Sequence, residues 1–349
     1  MTDKRPIITA YALHWHMHTS GAFYDLLVKP LARYADIRFV GWEYHEELPL
    51  PREDELTIFC QYPPPESWLR QSNAPVVWIP MADHTLYPPS IDHHPSVRVV
   101  AFSHEVATWA EKWGLPYLRL QYFMNPDDFP QADFDDGLVM LYWNRLAFYR
   151  QRFIRRMCKA LGVKKLIFRS AADAMLPKRY RYTLPPKIGQ AEVETHHGLQ
   201  SREDFLALMH RSNVFLTPRA REGVGFVMLE ALASGCAVFG YDAPTMNEYI
   251  QSGVNGFLFP QPKPETRLNK LLIKLYRAVY SRVYYLKHRQ YPIYFEALSF
   301  RDWKQLKNLN LAELGANARR AQAEGYAKWI ASIPDYAEFV LKDYVPHDD

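Results

Sequence analysis

Apolar residues along this chain gather into short unbroken runs, and between the runs they recur three or four positions apart. The runs at 6–13, 37–42, 56–61, 75–80 and 97–102 are rich in Val, Ile, Phe and Trp. That is the pattern of strands buried on both faces. The intervening "GAFYDLLVKPLARYA" and "HEVATWAEKWG" have helical spacing. Strands alternating with helices predict a parallel sheet with crossover helices. A turn-rich acidic stretch at 125–137, "NPDDFPQADFDDG", interrupts the pattern and reads as a linker. The alternation then restarts with a strand at 138–143, a basic helix at about 146–161, a strand at 164–170, a helix in "SREDFLALMHR" and a strand at 213–218. Two α/β halves follow, and such proteins bind ligands between domains at the carboxyl ends of their strands.

Composition agrees with this picture. A chain of 349 residues that is 48% apolar and 15% aromatic can bury two sizeable cores, which excludes a disordered tail or a minimal module. A formal net charge of +4 makes no demand for nucleic acid, and none is expected as a partner. Cys60, Cys158 and Cys236 are widely spaced in apolar runs, so neither a disulfide framework nor a metal motif is expected. No stretch of about 18 uncharged apolar residues and no signal-peptide core is apparent, and a cytoplasmic protein is expected.

The densest chemistry lies at 220–242, "AREGVGFVMLEALASGCAVFGYD". From Val224 to Tyr241 the only charged residue is Glu230. A strand should end near Pro218, Gly223 and Gly225 should form a turn, and a helix should run from Phe226 to Ser234 before Gly235 stops it. The free amides at that helix start suit a phosphate. Glu222, just before the helix, is favoured there by the helix dipole alone. Glu230 sits on a helix with almost no other polar residue, so it must be buried or ligand-facing, and a buried carboxylate needs partners. An internal hydrogen-bond network and a sugar hydroxyl are both open as its partner.

The segment Thr217–Phe259 closely resembles the signature of retaining family 4 glycosyltransferases of the GT-B fold. Pro218, Glu222, Gly223, Gly225, Glu230, Ala231, Ala233, Gly235, Glu248, Asn255 and Gly256 fall on that signature. The resemblance implies two Rossmann-like parallel-sheet domains facing each other across a cleft. It implies a nucleotide-sugar donor site in which Glu222 faces the sugar and Glu230 accepts from the ribose hydroxyls. Gly223, Val224, Gly225 and Phe226 would bring backbone amides against sugar and phosphate. In "YWNRLAFYR", Arg145 matches the family's phosphate-binding Arg, and Arg150 stands where a Lys is usual; Asn144 replaces the usual preceding glycine. In the first half, Gly21 matches the glycine-rich loop near the donor, and His84 matches a His beside the reacting sugar. Catalytic roles are thereby expected for Glu222, His84 and Arg145. No cofactor and no metal are expected.

Three features invite other readings. The histidines of "HWHMH" (His14, His16, His18) lack a second ligand cluster and are taken to line the cleft. "DFD" (Asp133, Phe134, Asp135) sits in an acidic linker, the wrong setting for a metal-binding pair. Residues 267–290 carry seven Lys or Arg and no acid, within an apparent insertion at about 267–300. A basic amphipathic segment of this kind suits peripheral contact with anionic membrane, and equally an ordinary solvated surface helix.

The expected organisation is therefore an acceptor-side domain at 1–132, a donor-side domain at 133–325, and a terminal helix at 326–349 crossing back. The expected activity is a retaining hexosyl- or related transfer from a nucleotide-sugar to a glycan or lipid-linked acceptor, as in polysaccharide or lipopolysaccharide biosynthesis. A sugar-nucleotide epimerase, a sugar phosphorylase, or a non-catalytic subunit of a glycan-assembly complex would use the same scaffold.

Overall fold

Two separate sets of β-rich runs build two separate sheets. The structure is a computed structural model that describes residues 5–14, 22–43, 48–50, 55–72, 74–83, 91, 95–145, 149, 151–170, 183–198, 201–219, 221–260 and 300–342. It divides into two compact units. The first holds the described residues up to Phe123, together with Glu222–Phe226 and those from Gly325 onward; the second holds the rest.

The first unit carries β1 (Ile7–Leu13), β2 (Asp36–Trp42), β3 (Glu55–Cys60), β4 (Val76–Ile79), β5 (Val97–Ala101) and β6 (Tyr117–Arg119). Their order is β2-β1-β3-β4-β5-β6, and every pairing is parallel. β3, β4 and β5 are buried along their whole length, as strands covered on both faces must be. Trp42, Phe59, Trp68, Trp78 and Trp113 fill one core, with Trp78 stacked on Trp113 at 5.8 Å. The segment expected as one helix after β1 is a π-helical turn, Tyr24–Val28, that runs into Lys29–Leu31. Pro30 lacks an amide hydrogen and so cannot continue the ladder of an ordinary helix.

The second unit carries β7 (Val139–Trp143), β8 (Lys165–Arg169), β9 (Lys187–Ile188), β10 (Ala191–His196), β11 (Val214–Leu216), β12 (Ala237–Tyr241) and β13 (Phe257–Phe259). The order is β13-β12-β11-β7-β8-β10-β9, parallel throughout except for the β9–β10 pair. Helices cover both faces. Met140 and Tyr142 join Phe153, Ile154 and Met157 of the helix Gln151–Leu161, while Trp143 meets Phe205 of the helix Arg202–His210 at 5.6 Å. The expected basic helix is thus present from Gln151 on, and 146–148 and Arg150 lie outside the described residues.

The acidic linker is tied down in the structure. Asn213 Nδ2 donates to the carbonyls of Asp133 (2.6 Å) and Gly137 (2.8 Å), and its Oδ1 accepts from the Val139 amide. Asp133 Oδ1 accepts from the Asp135 amide at 2.8 Å, a local turn role for the "DFD" sequence. The basic segment 267–290 lies outside the described residues. Among the described residues no helix is long and apolar enough to cross a membrane.

Candidate functional site

In the second sheet, β7 and β11 are neighbours, and the chain winds outward from them in opposite directions. Such a switch point opens a crevice at the carboxyl ends of the strands. The helix that follows β11, Phe226–Ala233, is apolar nearly all round, with Met228–Ala233 buried, so it lies in the interior of the fold. Its limits are set by two glycines. Gly225 (φ +80°) precedes its first residue and Gly235 (φ +74°) ends it, both in the left-handed region where a side chain is strained. The Cys236 amide donates to the Ala231 carbonyl and the Gly235 amide to that of Leu232, a Schellman end. Arg319 Nη1 takes the Ala233 carbonyl at 2.7 Å, placing a cation at the negative end of the helix.

Glu230 is 3% exposed in the middle of this helix. Its Oε1 meets Arg202 Nη2 at 2.5 Å. Arg202 opens the helix Arg202–His210, whose start is fixed by a capping box between Ser201 and Asp204. A charge buried this far is tolerated because it is paired, and the cation that pairs it lies 28 positions earlier in the chain. The sequence reading left an internal partner open, and Arg202 is one. It was not singled out from the sequence, where an Arg after a Ser cap resembles any solvated first-turn residue.

At the end of β7, the Arg145 guanidinium lies 5.0 Å from the centre of the Trp143 ring. On the adjacent strand, Trp143 pairs in register with Arg169. The Arg169 guanidinium lies over the same indole at 4.0 Å and 5.3 Å from the ring of Phe205. Burial, and then the like charge of Arg145, bring the Arg169 pKa down to about 10, so it is cationic at neutral pH. The Asn144 amide donates to the Arg169 carbonyl at 2.8 Å and continues the ladder one residue past the end of β7. The Asn144 side chain, which stands where the family has glycine, is wholly buried and its Nδ2 has no hydrogen-bond partner among the described residues.

Glu222–Phe226 group with the first unit. A side chain on Gly223 would press into Met81 and Asp83, and this close approach is a reason for glycine that spacing alone did not reveal. Val224 is buried, Glu222 is half-buried, and Phe226 stacks on Tyr122 at 5.1 Å. Gly21, His84 and Arg150 lie outside the described residues, as do His16 and His18. No group of three His, Cys, Asp or Glu residues that could hold a metal occurs among the described residues. Away from the crevice, Glu194 of β10 is held well below the usual carboxylate range, chiefly by hydrogen bonds from Arg211 and also by those from Lys165 and His196.

Residues 187–282 match the family model described as glycosyl transferases group 1. Over 86 residues the chain is 38% identical to the UDP-N-acetylglucosamine–peptide N-acetylglucosaminyltransferase GtfA subunit of Streptococcus parasanguinis, covering 23% of this chain and 17% of that one. Over 75 residues it is 36% identical to the sucrose synthase of Melioribacter roseus, covering 21% of this chain and 9% of that one. The chain thus matches only a small part of the length of these curated relatives. Whole-chain likeness is to solved structures at low identity. Sucrose-phosphate synthase from Thermosynechococcus elongatus has a TM-score of 0.58 at 13% identity, covering 97% of this chain and all (100%) of that one. HepE of Anabaena, solved with UDP, has a TM-score of 0.55 at 14% identity, covering 96% and 99%. The fold is that of GT-B glycosyltransferases, as the motif resemblance implied.

Proposed function

We propose that this chain, which carries the glycosyl transferases group 1 signature over residues 187–282 on a GT-B fold, transfers a sugar from a nucleotide-sugar donor to a glycan or lipid-linked acceptor with retention of configuration. The observation that carries the proposal is Glu230. It is buried on a helix that opens at the switch point of a Rossmann-type sheet, eight residues after Glu222, inside the matched segment. A uridine diphosphate sugar is the donor class to try first, because curated relatives that the chain matches in part are named for UDP-N-acetylglucosamine.

In this proposal the donor domain is 133–325 and the acceptor domain 1–132. Glu230 accepts from the ribose hydroxyls, and Glu222 from hydroxyls of the donor sugar. Arg145 and Arg150, with the amides at Gly223–Phe226, stabilise the charge that develops on the departing diphosphate. His84 stands beside the reacting sugar. Bond breaking at the anomeric carbon leaves the electron pair on the diphosphate oxygen, and the acceptor hydroxyl passes its proton to that departing oxygen as it bonds to the carbon. Two guanidinium groups supply the neutralisation that a divalent cation would otherwise provide, so no metal is required.

The test is release of free nucleoside diphosphate from UDP-glucose, UDP-N-acetylglucosamine, GDP-mannose and ADP-glucose, to water and to an added mixture of glycan and lipid-linked acceptors, with and without a chelator. One donor should be consumed at an undiminished rate in the chelator. Glu222→Ala should abolish that consumption while binding the bare diphosphate as the parent does. A Glu222→Ala protein with full activity removes Glu222 from the donor sugar. Binding of a diphosphate with no turnover of any donor leaves a carrier and not a transferase.

A further inference from the structure

The carboxyl ends of β7 and β8 hold more positive charge than the motif accounts for. Arg145 answers to the signature; Arg169 does not, and nothing in the sequence pattern separates it from an ordinary strand-end arginine. In the structure the two guanidinium groups share one indole, at 5.0 Å and 4.0 Å from the centre of Trp143. Arg169 is the more confined of the two, lying over both Trp143 and Phe205, which are themselves 5.6 Å apart. Its Nε is buried and has no hydrogen-bond partner, and no carboxylate pairs with it among the described residues. Next to it in the ladder, the Nδ2 of the fully buried Asn144 is likewise without a partner among the described residues.

Like charges brought together and partly desolvated repel, and unpartnered buried donors are unfavourable. Elsewhere in this unit Arg211 and Lys165 pair with Glu194, and Arg202 with Glu230, a partnership that Arg169 lacks among the described residues. Stacking on an aromatic face holds a guanidinium flat and leaves its edge donors free, a geometry suited to phosphate oxygens.

We propose that Arg169 is a further guanidinium for the donor diphosphate, outside the signature and set beside Arg145 on Trp143 so that both meet its charge. This rests on the nucleotide-sugar reading above and adds to it a residue outside the signature. An anion lying across the strand ends would accept from Arg169 on the β8 side and Arg145 on the β7 side, relieving the repulsion between them. Trp143 acts as the platform that fixes their separation.

The experiment is calorimetric titration of UDP, GDP and ADP into the full chain and into Arg169→Met, which keeps an apolar stem against Trp143 and Phe205 while removing the charge. Uridine binding is followed in parallel by ligand-observed NMR. Arg169→Met should weaken diphosphate binding roughly 10- to 100-fold, the worth of one or two charge-assisted hydrogen bonds, and leave the nucleoside unaffected. The salt dependence of diphosphate binding should become shallower in the variant. Arg169→Lys, which keeps a point charge without the fork, should fall between the two and serves if the Met variant does not fold. Equal loss of nucleoside and diphosphate affinity assigns Arg169 to packing and overturns the proposal. Unchanged diphosphate affinity overturns it too, while the nucleotide-sugar reading stands. A parent protein that binds none of the three diphosphates overturns both.

Discussion

Glu230 carries the most information of any single residue in the chain. It is 3% exposed, on a helix whose other inner positions are Met, Leu and Ala, and one of its oxygens is bonded to Arg202 at 2.5 Å. Removing the cation from a fully buried pair costs about 3–5 kcal/mol. The Arg202 side chain is 44% exposed, so solvent takes up part of that loss. Arg202→Ala should therefore destabilise the fold by about 1–2 kcal/mol, read as a lowering of both the denaturant midpoint and the thermal midpoint. Glu230→Ala should weaken nucleoside diphosphate binding roughly 10- to 100-fold in calorimetry. Unchanged affinity would assign Glu230 to the Arg202 pair alone. The burial of Glu230 was legible from the sequence because no other charge accompanies it between Val224 and Tyr241. Arg202 and Arg169 were not legible. Pairing over 28 residues, or stacking on an indole from the next strand, leaves no trace in local spacing.

Among the elements, the apolar strands were readable, the edge strand β2 and the three-residue β11 included, while the polar β10 and the short β6, β9 and β13 were not. β1, β3, β4 and β5 are mainly apolar, and each lies within a residue or two of where the pattern put it. β10 reads "AEVETH", with polar residues whose order is supplied by its neighbours and by the Glu194 ion pairs. β6 and β13, three residues each at the sheet edges, are too short to show a period. The helix Leu311–Ala331 crosses the end of the helix Phe226–Ala233 at a pair of glycines, Gly315 and Gly235. A methyl group on Gly315 would meet the backbone carbonyl of Gly235, which cannot step aside. Alanine would gain about 0.5–1 kcal/mol in a free helix, but overpacking costs about 1–3 kcal/mol. Gly315→Ala should accordingly lower stability by about 1–2 kcal/mol net in urea unfolding. A more stable variant would mean that the helix does not press on the turn.

At the scale of the whole molecule, the two α/β halves were legible from the restart of alternation after 125–137. The grouping of Glu222–Phe226 with the first unit was not, because chain order places those residues in the second half. The switch point of the second sheet is proposed to receive the diphosphate of a nucleotide-sugar, with Glu230 on the ribose and guanidinium groups on the phosphates. The most direct measurement is calorimetric titration of the purified chain with UDP, GDP, ADP and CMP, with and without magnesium. Micromolar binding of one nucleoside diphosphate, unaffected by magnesium, is expected, with weaker binding in Glu230→Ala. Binding of none of them, or binding that needs the metal, would contradict this proposal.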